Sequence, residues 1–262
     1  MTEAVFAGTF GLLIGSFLNV CIYRLPRDLS VVSPRSFCPG CERQIAATDN
    51  VPVFSWLLLR GRCRYCRTRI SARYPAVELL TALLFFFAIQ RFGPTPLGWK
   101  MCVFAAIQVA LVFTDFEERI LPDEFTLGGT VVGIVLALWV FLPESLAHLL
   151  LPSTWQPQVL SVAEAVLGAL APSLTLWAAG ALYHAVRKRE GLGLGDVKMV
   201  AAIGAFLGLS GALLTLIAGS LLGSVIGIVF IAITRKDSAT YELPFGSFLG
   251  FAALLVAFSG RF

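Results

Sequence analysis

Charge is scarce in this chain. Asp, Glu, Lys and Arg make up 14% of its 262 residues, against roughly 25% in soluble globular domains. With 57% hydrophobic residues beside it, that shortage excludes an ordinary soluble globule. Histidine is rarer still. His148 and His184 are the only two, and neither has a carboxylate or cysteine at ligand spacing, so a Ser/His hydrolase and a histidine-bound catalytic metal both lose their basis. There is no Walker sequence, GxxxxGK followed by Ser or Thr, and no preceding strand for a dinucleotide loop. Acids are almost missing from the middles of the apolar runs, which counts against an ion path through them. The first apolar run follows Glu3 and lacks a basic start or a small-residue cleavage site. It reads as a retained helix, not a signal peptide.

What the chain has is apolar length. A membrane span needs roughly 17–25 residues, and eight candidates follow: Glu3–Tyr23, Ala76–Phe92, Leu97–Thr114, Phe125–Leu142, Val159–Val186, Val197–Leu209, Gly211–Thr234 and Pro244–Ser259. The sixth is short. The expected fold class is an all-α polytopic membrane protein of about eight transmembrane helices. With eight spans, all but three of the 20 Lys and Arg (Arg91, Lys100 and Arg261) fall on one side. The positive-inside rule makes that side cytosolic and puts the N-terminus outside. The net charge of +4 is therefore topology and not a nucleic-acid footprint.

The first cytosolic loop, 24–75, carries two CxxC pairs, Cys38 with Cys41 and Cys63 with Cys66. Two such knuckles can close a tetrahedral sulfur site that suits Zn²⁺. In a reducing cytosol, two structural disulfides are the poorer reading; a redox dithiol is the remaining alternative. A closed four-sulfur shell leaves no position for water, so the zinc would be structural and would supply folding energy to a loop with little core. Cys21 and Cys102 lie within spans and read as apolar packing.

Two acids stand at the cytosolic edge. Asp115, in "VFTDFEERILPDEF", closes the third span, and Asp196, in "REGLGLGDVKM", opens the sixth. Ionisable groups at a bilayer are costly and default to a functional question. Two facing carboxyls can hydrolyse an amide: they share a proton, the ionised one takes a proton from water, and the protonated one polarises the scissile carbonyl. Gly191, Gly193 and Gly195 remove side chains just before Asp196, letting a helix or a substrate strand approach. Asp123 is a rival acid that can also cap the helix starting near Phe125. Glu78 is expected to pair with an Arg of the loop or to serve a second activity. Lys198 reads as an interfacial anchor, Asn19 and Ser16 as helix–helix hydrogen-bonding groups, Glu164 as an outer-interface residue with no role, and the glycines of spans seven and eight as close packing.

In order along the chain, "GSFLNVCIYRLP", "CPGC", "DNVPVFSWLLLRGRCRYC", "SARYPAVELLTA", "TDFEERILPDEFT", "EGLGLGDVKMVAAIGAFLG" and "LPFGSFLGFAA" resemble the bacterial type IV prepilin leader peptidases, membrane aspartic proteases of the GxGD class. The resemblance implies an inner-membrane enzyme that removes the basic leader of prepilins or pseudopilins after a glycine, at the cytosolic face. It implies Asp115 and Asp196 as the catalytic pair. It also implies methylation of the new N-terminus with S-adenosylmethionine, carried by residues 1–92, with the peptidase in 93–262. Membrane lipids and pilus or secretion assembly proteins are the expected partners. Glu117 stands where the family often has a second acid. Ser247 stands where the family commonly has proline, which puts a local bend in doubt and not the chemistry. Asp115, Glu117, Glu118, Asp123 and Glu124 are placed to attract a basic leader. A transporter and a scaffold docking a secretion ATPase are the competing readings; the scaffold predicts that losing either Asp115 or Asp196 leaves function intact.

Overall fold

The computed structural model describes residues 1–141, 155–188, 192–234 and 244–260. Residues 142–154, with His148, and Gly191 and the basic residues Arg189, Arg235, Lys236 and Arg261 lie outside the described residues. Among those described, regular structure is helical apart from two isolated bridges, Phe37 with Gln44 and Arg62 with Arg69. The elements are α1 (Thr2–Arg24), a short α2 (Phe54–Leu58), α3 (Arg73–Phe92), α4 (Pro96–Glu118), α5 (Asp123–Leu136), α6 (Pro157–Arg187), α7 (Leu194–Thr234) and α8 (Phe245–Ser259). Five stretches are long and apolar enough to cross a membrane: Thr2–Arg27, Arg73–Phe92, Pro96–Glu118, Pro157–Arg187 and Leu194–Phe230. The chain is an all-α polytopic membrane protein.

Three boundaries differ from the sequence reading. The third span was expected to end at Thr114, but α4 continues to Glu118, so Asp115 lies inside its last turn. The fourth was expected over Phe125–Leu142. Helix α5 spans 14 residues and ends at Leu136, because the chain tightens there: Leu138 and Trp139 donate to Val135 and Leu136, three residues back. The sixth and seventh form one element, broken at Gly208 with φ 73° and ψ −174°.

Two compact units make up the chain, Met1–Ala110 and Leu111–Phe262. In the first, α1 packs along α3. The contact is close because Gly11 and Gly15 have no side chain. A Cβ on Gly15 would stand 2.6 Å from the Glu78 Cα, and one on Gly11 would stand 2.8 Å from the Ala82 Cα. Without water to drive them together, membrane helices associate through such small-residue contacts. Asn19 adds the expected interhelical bond, its Nδ2 donating to the Tyr74 carbonyl at 3.0 Å.

In the second unit, α6 and α8 both pack on α7, and α5 packs on it too. The crossing of α6 and α7 is backbone against backbone. Pro172 lies inside α6 and has no N–H, so it frees the carbonyl four residues earlier, on Gly168. That carbonyl faces Gly204 of α7. Farther along α7 the contact with α8 is also close but less so: a Cβ on Gly219 would stand 3.2 Å from the Leu249 Cα, and one on Gly223 would stand 3.3 Å from the Phe248 Cδ2. The glycines of the seventh and eighth expected spans thus pack closely, and Gly168 and Gly204 pack more tightly still.

Glu164 has a structural role that its sequence position did not reveal. It is fully buried, and its Oε1 accepts the Leu209 N–H at 2.7 Å. Gly208 breaks the helix, and Glu164 caps the half that restarts at Leu209. A Cβ at Gly208 would lie 2.7 Å from that Oε1.

Candidate active site and metal cluster

Asp115 and Asp196 belong to the same unit. Asp115 is 6% exposed. Its Oδ2 accepts two bonds from Ser247, the backbone N–H at 2.6 Å and the hydroxyl at 2.7 Å. Ser247 is the third residue of α8, so Asp115 occupies the N-terminus of a helix to which it does not belong, a favoured place for a carboxylate. The Ser247 hydroxyl also lies 3.1 Å from the Val112 carbonyl. It has one proton. It can donate to an ionised Asp115, or donate to Val112 while accepting from a protonated one.

Asp196 is the third residue of α7 and half-buried. Its carboxylate accepts the Gly193 N–H, reaching back to the residue before the helix as the acid of a capping box does. It lies near enough to Asp115 for the two charges to act on one another. Leu121 fills the space between their supports. A Cβ on Gly195 would stand 3.2 Å from Leu121, and one on Gly246 would stand 3.1 Å from both Leu121 and the Asp115 Cγ. Gly195 and Gly246 are therefore small because Leu121 and Asp115 occupy the space where a side chain would go.

Ser247, Gly246 and Leu121 were not singled out for this from sequence. The expectation that Ser247 leaves the chemistry untouched needs correction, since neither of its bonds to Asp115 is available to a proline. Asp123 is also corrected. It is the first residue of α5 and caps nothing with its side chain; it is exposed and paired with Lys198, 2.7 Å away. Lys198 is thus an ion-pair partner and not simply an anchor. Lys100 and Gln108 are buried in α4 with polar atoms lacking hydrogen-bond partners; their placement in the span gave no signal of it.

The four cysteines of the loop converge. Their sulfurs all lie within 4.8 Å of one another, and Cys38 and Cys66 are 3.7 Å apart. A tetrahedron with metal–sulfur bonds of about 2.3 Å has edges of about 3.8 Å, so the cage has the size for one ion. The two knuckles share one construction. Cys38 and Cys63 each donate an N–H to the carbonyl five residues on, Arg43 and Thr68, both at 2.9 Å. Glu42 and Arg67, at equivalent places, both take positive φ, 56° and 60°. Gly40 lets the knuckles meet, since a Cβ there would be 2.7 Å from the Thr68 Oγ1. Burial pushes the Cys38 thiol up to about 11, whereas hydrogen bonds from Thr68 bring Cys66 down to about 6. Arg64 of the second knuckle grips Asp49 through Nε and Nη2 at 2.8 and 2.6 Å and holds that carboxyl below the usual carboxylate range.

Among the described residues, Glu78 pairs with no arginine. It is buried, and its Oε2 accepts the Val53 N–H at 2.7 Å. The loop reaches α3 through its backbone, and Val53 is held at φ 62° to make the bond.

The type IV leader peptidase family model matches residues 102–228, and the bacterial peptidase A24 N-terminal domain matches residues 9–92. The prepilin leader peptidase/N-methyltransferase of Aeromonas hydrophila is 37% identical over 278 residues, 96% of this chain and 89% of that protein. This chain belongs to the type IV leader peptidase family. Another relative, the prepilin leader peptidase/N-methyltransferase of Myxococcus xanthus, is 40% identical over 91% of this chain and 66% of its own length. The type 4 prepilin-like proteins leader peptide-processing enzyme of Escherichia coli is 34% identical over 95% of this chain and 91% of its own length. No solved structure gives a significant match. In this leader peptidase family member, the acidic segment, the GxGD stretch as far as it is described and the start of α8 all meet around Asp115.

Proposed function

We propose that Asp115 and Asp196 are the catalytic pair of a leader peptidase that cuts type IV prepilins or pseudopilins after a glycine. The observation that carries this is their placement: Gly195, next to Asp196, and Gly246, against the Asp115 carboxyl, pack on the same Leu121, and each carboxyl takes a backbone N–H at a helix N-terminus. One proton shared between them equips the pair to activate water on one side and polarise the scissile carbonyl on the other. Cleavage of a purified precursor by Asp→Asn variants tests it. Ser247 positions Asp115. Ser247→Ala keeps the backbone donor and loses the hydroxyl, so kcat should fall about tenfold with KM unchanged, the size expected for one hydrogen bond to a charged group. A kcat equal to wild type would remove Ser247 from the site.

The enzyme sits in the bacterial inner membrane with its N-terminus outside and its active site and cysteine loop at the cytosolic face. Residues 93–262 carry the peptidase, and residues 1–92 carry methylation of the new N-terminus. When bound, S-adenosylmethionine supplies the methyl group. Membrane lipids surround the helices, and pilus or secretion assembly proteins are its further partners.

The cysteine cage holds structural zinc. A chelator near neutral pH should release one zinc per chain, expose four thiols to a thiol reagent and make the 36–70 loop sensitive to protease. The helical signal should barely change. Four thiols that react fully before chelation, with no zinc released, would rule the zinc out.

A further inference from the structure

The short helix α2 has two unlike faces. One is tied to the loop. Ser55 is buried there, its hydroxyl accepting the Val51 N–H and donating to the Thr48 carbonyl, both at 3.0 Å. Trp56 donates its Nε1 hydrogen to the Ile70 carbonyl at 3.1 Å. These bonds hold the helix in one orientation. Phe54, Leu57 and Leu58 stand on the other face, at i, i+3 and i+4, and are 61%, 59% and 83% exposed.

This apolar face lies beside the spans and not beyond them. Val53, the residue before α2, donates its N–H to Glu78. Glu78 is the sixth residue of α3, about 7.5 Å along the axis from Arg73 at 1.5 Å per residue. On α1, Gly15 stands against the same Glu78, and α1 continues past it to Arg24. The loop therefore folds back along both helices. Because α1 and α3 are membrane spans, α2 starts at the depth where they leave the hydrocarbon.

The charge next to the apolar face has one sign. The chain leaves α2 through a turn in which the Gly61 N–H bonds the Trp56 carbonyl at 2.8 Å and Arg60 takes φ 54°. From 60 to 69 the sequence carries Arg60, Arg62, Arg64, Arg67 and Arg69 and no acid. Arg64 is engaged by Asp49. The other four are exposed, and none of them pairs with an acid among the described residues.

Apolar side chains at the hydrocarbon edge, with guanidinium groups beside them, fit acyl chains below and phosphate oxygens above. Interfacial helices bury their apolar face at that boundary and are held by basic residues, and the guanidinium fork matches phosphate oxygens. We propose that α2 and the turn after it dock on the membrane surface. Phe54, Leu57 and Leu58 enter the acyl boundary, and Arg60 and Arg62 bind the phosphates of anionic lipid headgroups. A protein partner would have to reach this face beside the spans, where lipid already lies. Docking gives the cysteine loop a third attachment to the membrane, besides its two span ends.

The test uses the full chain in nanodiscs of equal parts phosphatidylcholine and phosphatidylglycerol. A trace of the phosphatidylglycerol carries a diazirine at the headgroup end of one acyl chain. After illumination and peptide mapping, label should fall within 54–62 as well as on the spans, with label on α3 as the internal reference. The same diazirine on phosphatidylcholine, in discs of phosphatidylcholine alone, should label 54–62 at least about fivefold less, the factor one arginine contributes at an anionic surface. Arg60→Gln combined with Arg62→Gln should lower the phosphatidylglycerol label there by at least the same factor. Leu57→Ser combined with Leu58→Ser should do so too, with the helical signal unchanged. Label on the spans and none in 54–62 overturns the docking. Equal label from the two lipids, unchanged in the folded arginine variant, overturns the anionic headgroup as its partner. A face that takes no lipid label but cross-links to a second copy of the chain, or to a bound protein, overturns lipid as the occupant. If the variants do not fold, the two lipid probes on the wild type decide alone.

Discussion

Asp115→Asn and Asp196→Asn should each lower leader cleavage by at least about 10³-fold, within the range for removing a general acid or base. Neither should unfold the protein. Asparagine keeps the shape of aspartate and one carbonyl acceptor. At 115 it can still take the Ser247 N–H, and at 196 it can still take the Gly193 N–H. What it cannot do is ionise or share a proton. The two carboxyls act as a unit, so the double variant should be no slower than the slower single one, as for other catalytic groups whose losses do not add. Gel-based processing of a purified precursor, with thermal unfolding of each variant as the fold control, measures both claims. A folded single variant that retains a tenth of wild-type cleavage would sink the paired-acid mechanism.

The parts of this site that sequence reveals are the ones whose chemistry is local. Two CxxC pairs announce a cage because each knuckle is built within a few residues, and the cage forms. An aspartate beside an apolar run is conspicuous for its cost, so Asp115 and Asp196 stand out from the residues around them. The supports of these groups are a different matter. Ser247 reaches Asp115 across 132 positions, and Glu164 reaches Leu209 across 45. Periodicity reports which face of a helix is apolar, not which residue of another helix lies opposite. Glu164 therefore reads as an interface residue, although it caps a broken helix. Glu78 is expected to seek an arginine because the loop is rich in them, yet the loop offers it a backbone N–H. The depth of α2 depends on how the folded loop lies along α1 and α3, and no single stretch encodes that.

Gly204→Val should destroy the folded second unit and all cleavage with it. Within a membrane, lipid tails are as apolar as the side chains, so helices associate by fit. At the crossing of α6 and α7 that fit is between backbones. Pro172 has freed the Gly168 carbonyl, and Gly204 receives it where any Cβ would overlap. Backbone cannot swing aside as a side chain does. Valine must push the helices apart, and overpacking of this kind typically costs about 1–3 kcal/mol, occasionally more. The cost does not stop there. Glu164 lies one turn before Gly168 on α6, and its bond to Leu209 requires the same close approach. Separating the helices leaves a buried carboxyl and a helix N-terminus without each other, a further penalty of about 1–3 kcal/mol or more. Against a total stability of about 5–15 kcal/mol, the combined loss is enough to unfold a marginal unit. Gly128→Ala is the control, since no heavy atom lies within 4 Å of the place its Cβ would take, and it should melt and cleave as wild type does. Tryptophan fluorescence melts in detergent, read beside precursor cleavage, separate the two. If Gly204→Val melts at the wild-type temperature, the two backbones do not touch there, and Glu164 must hold Leu209 by some other packing.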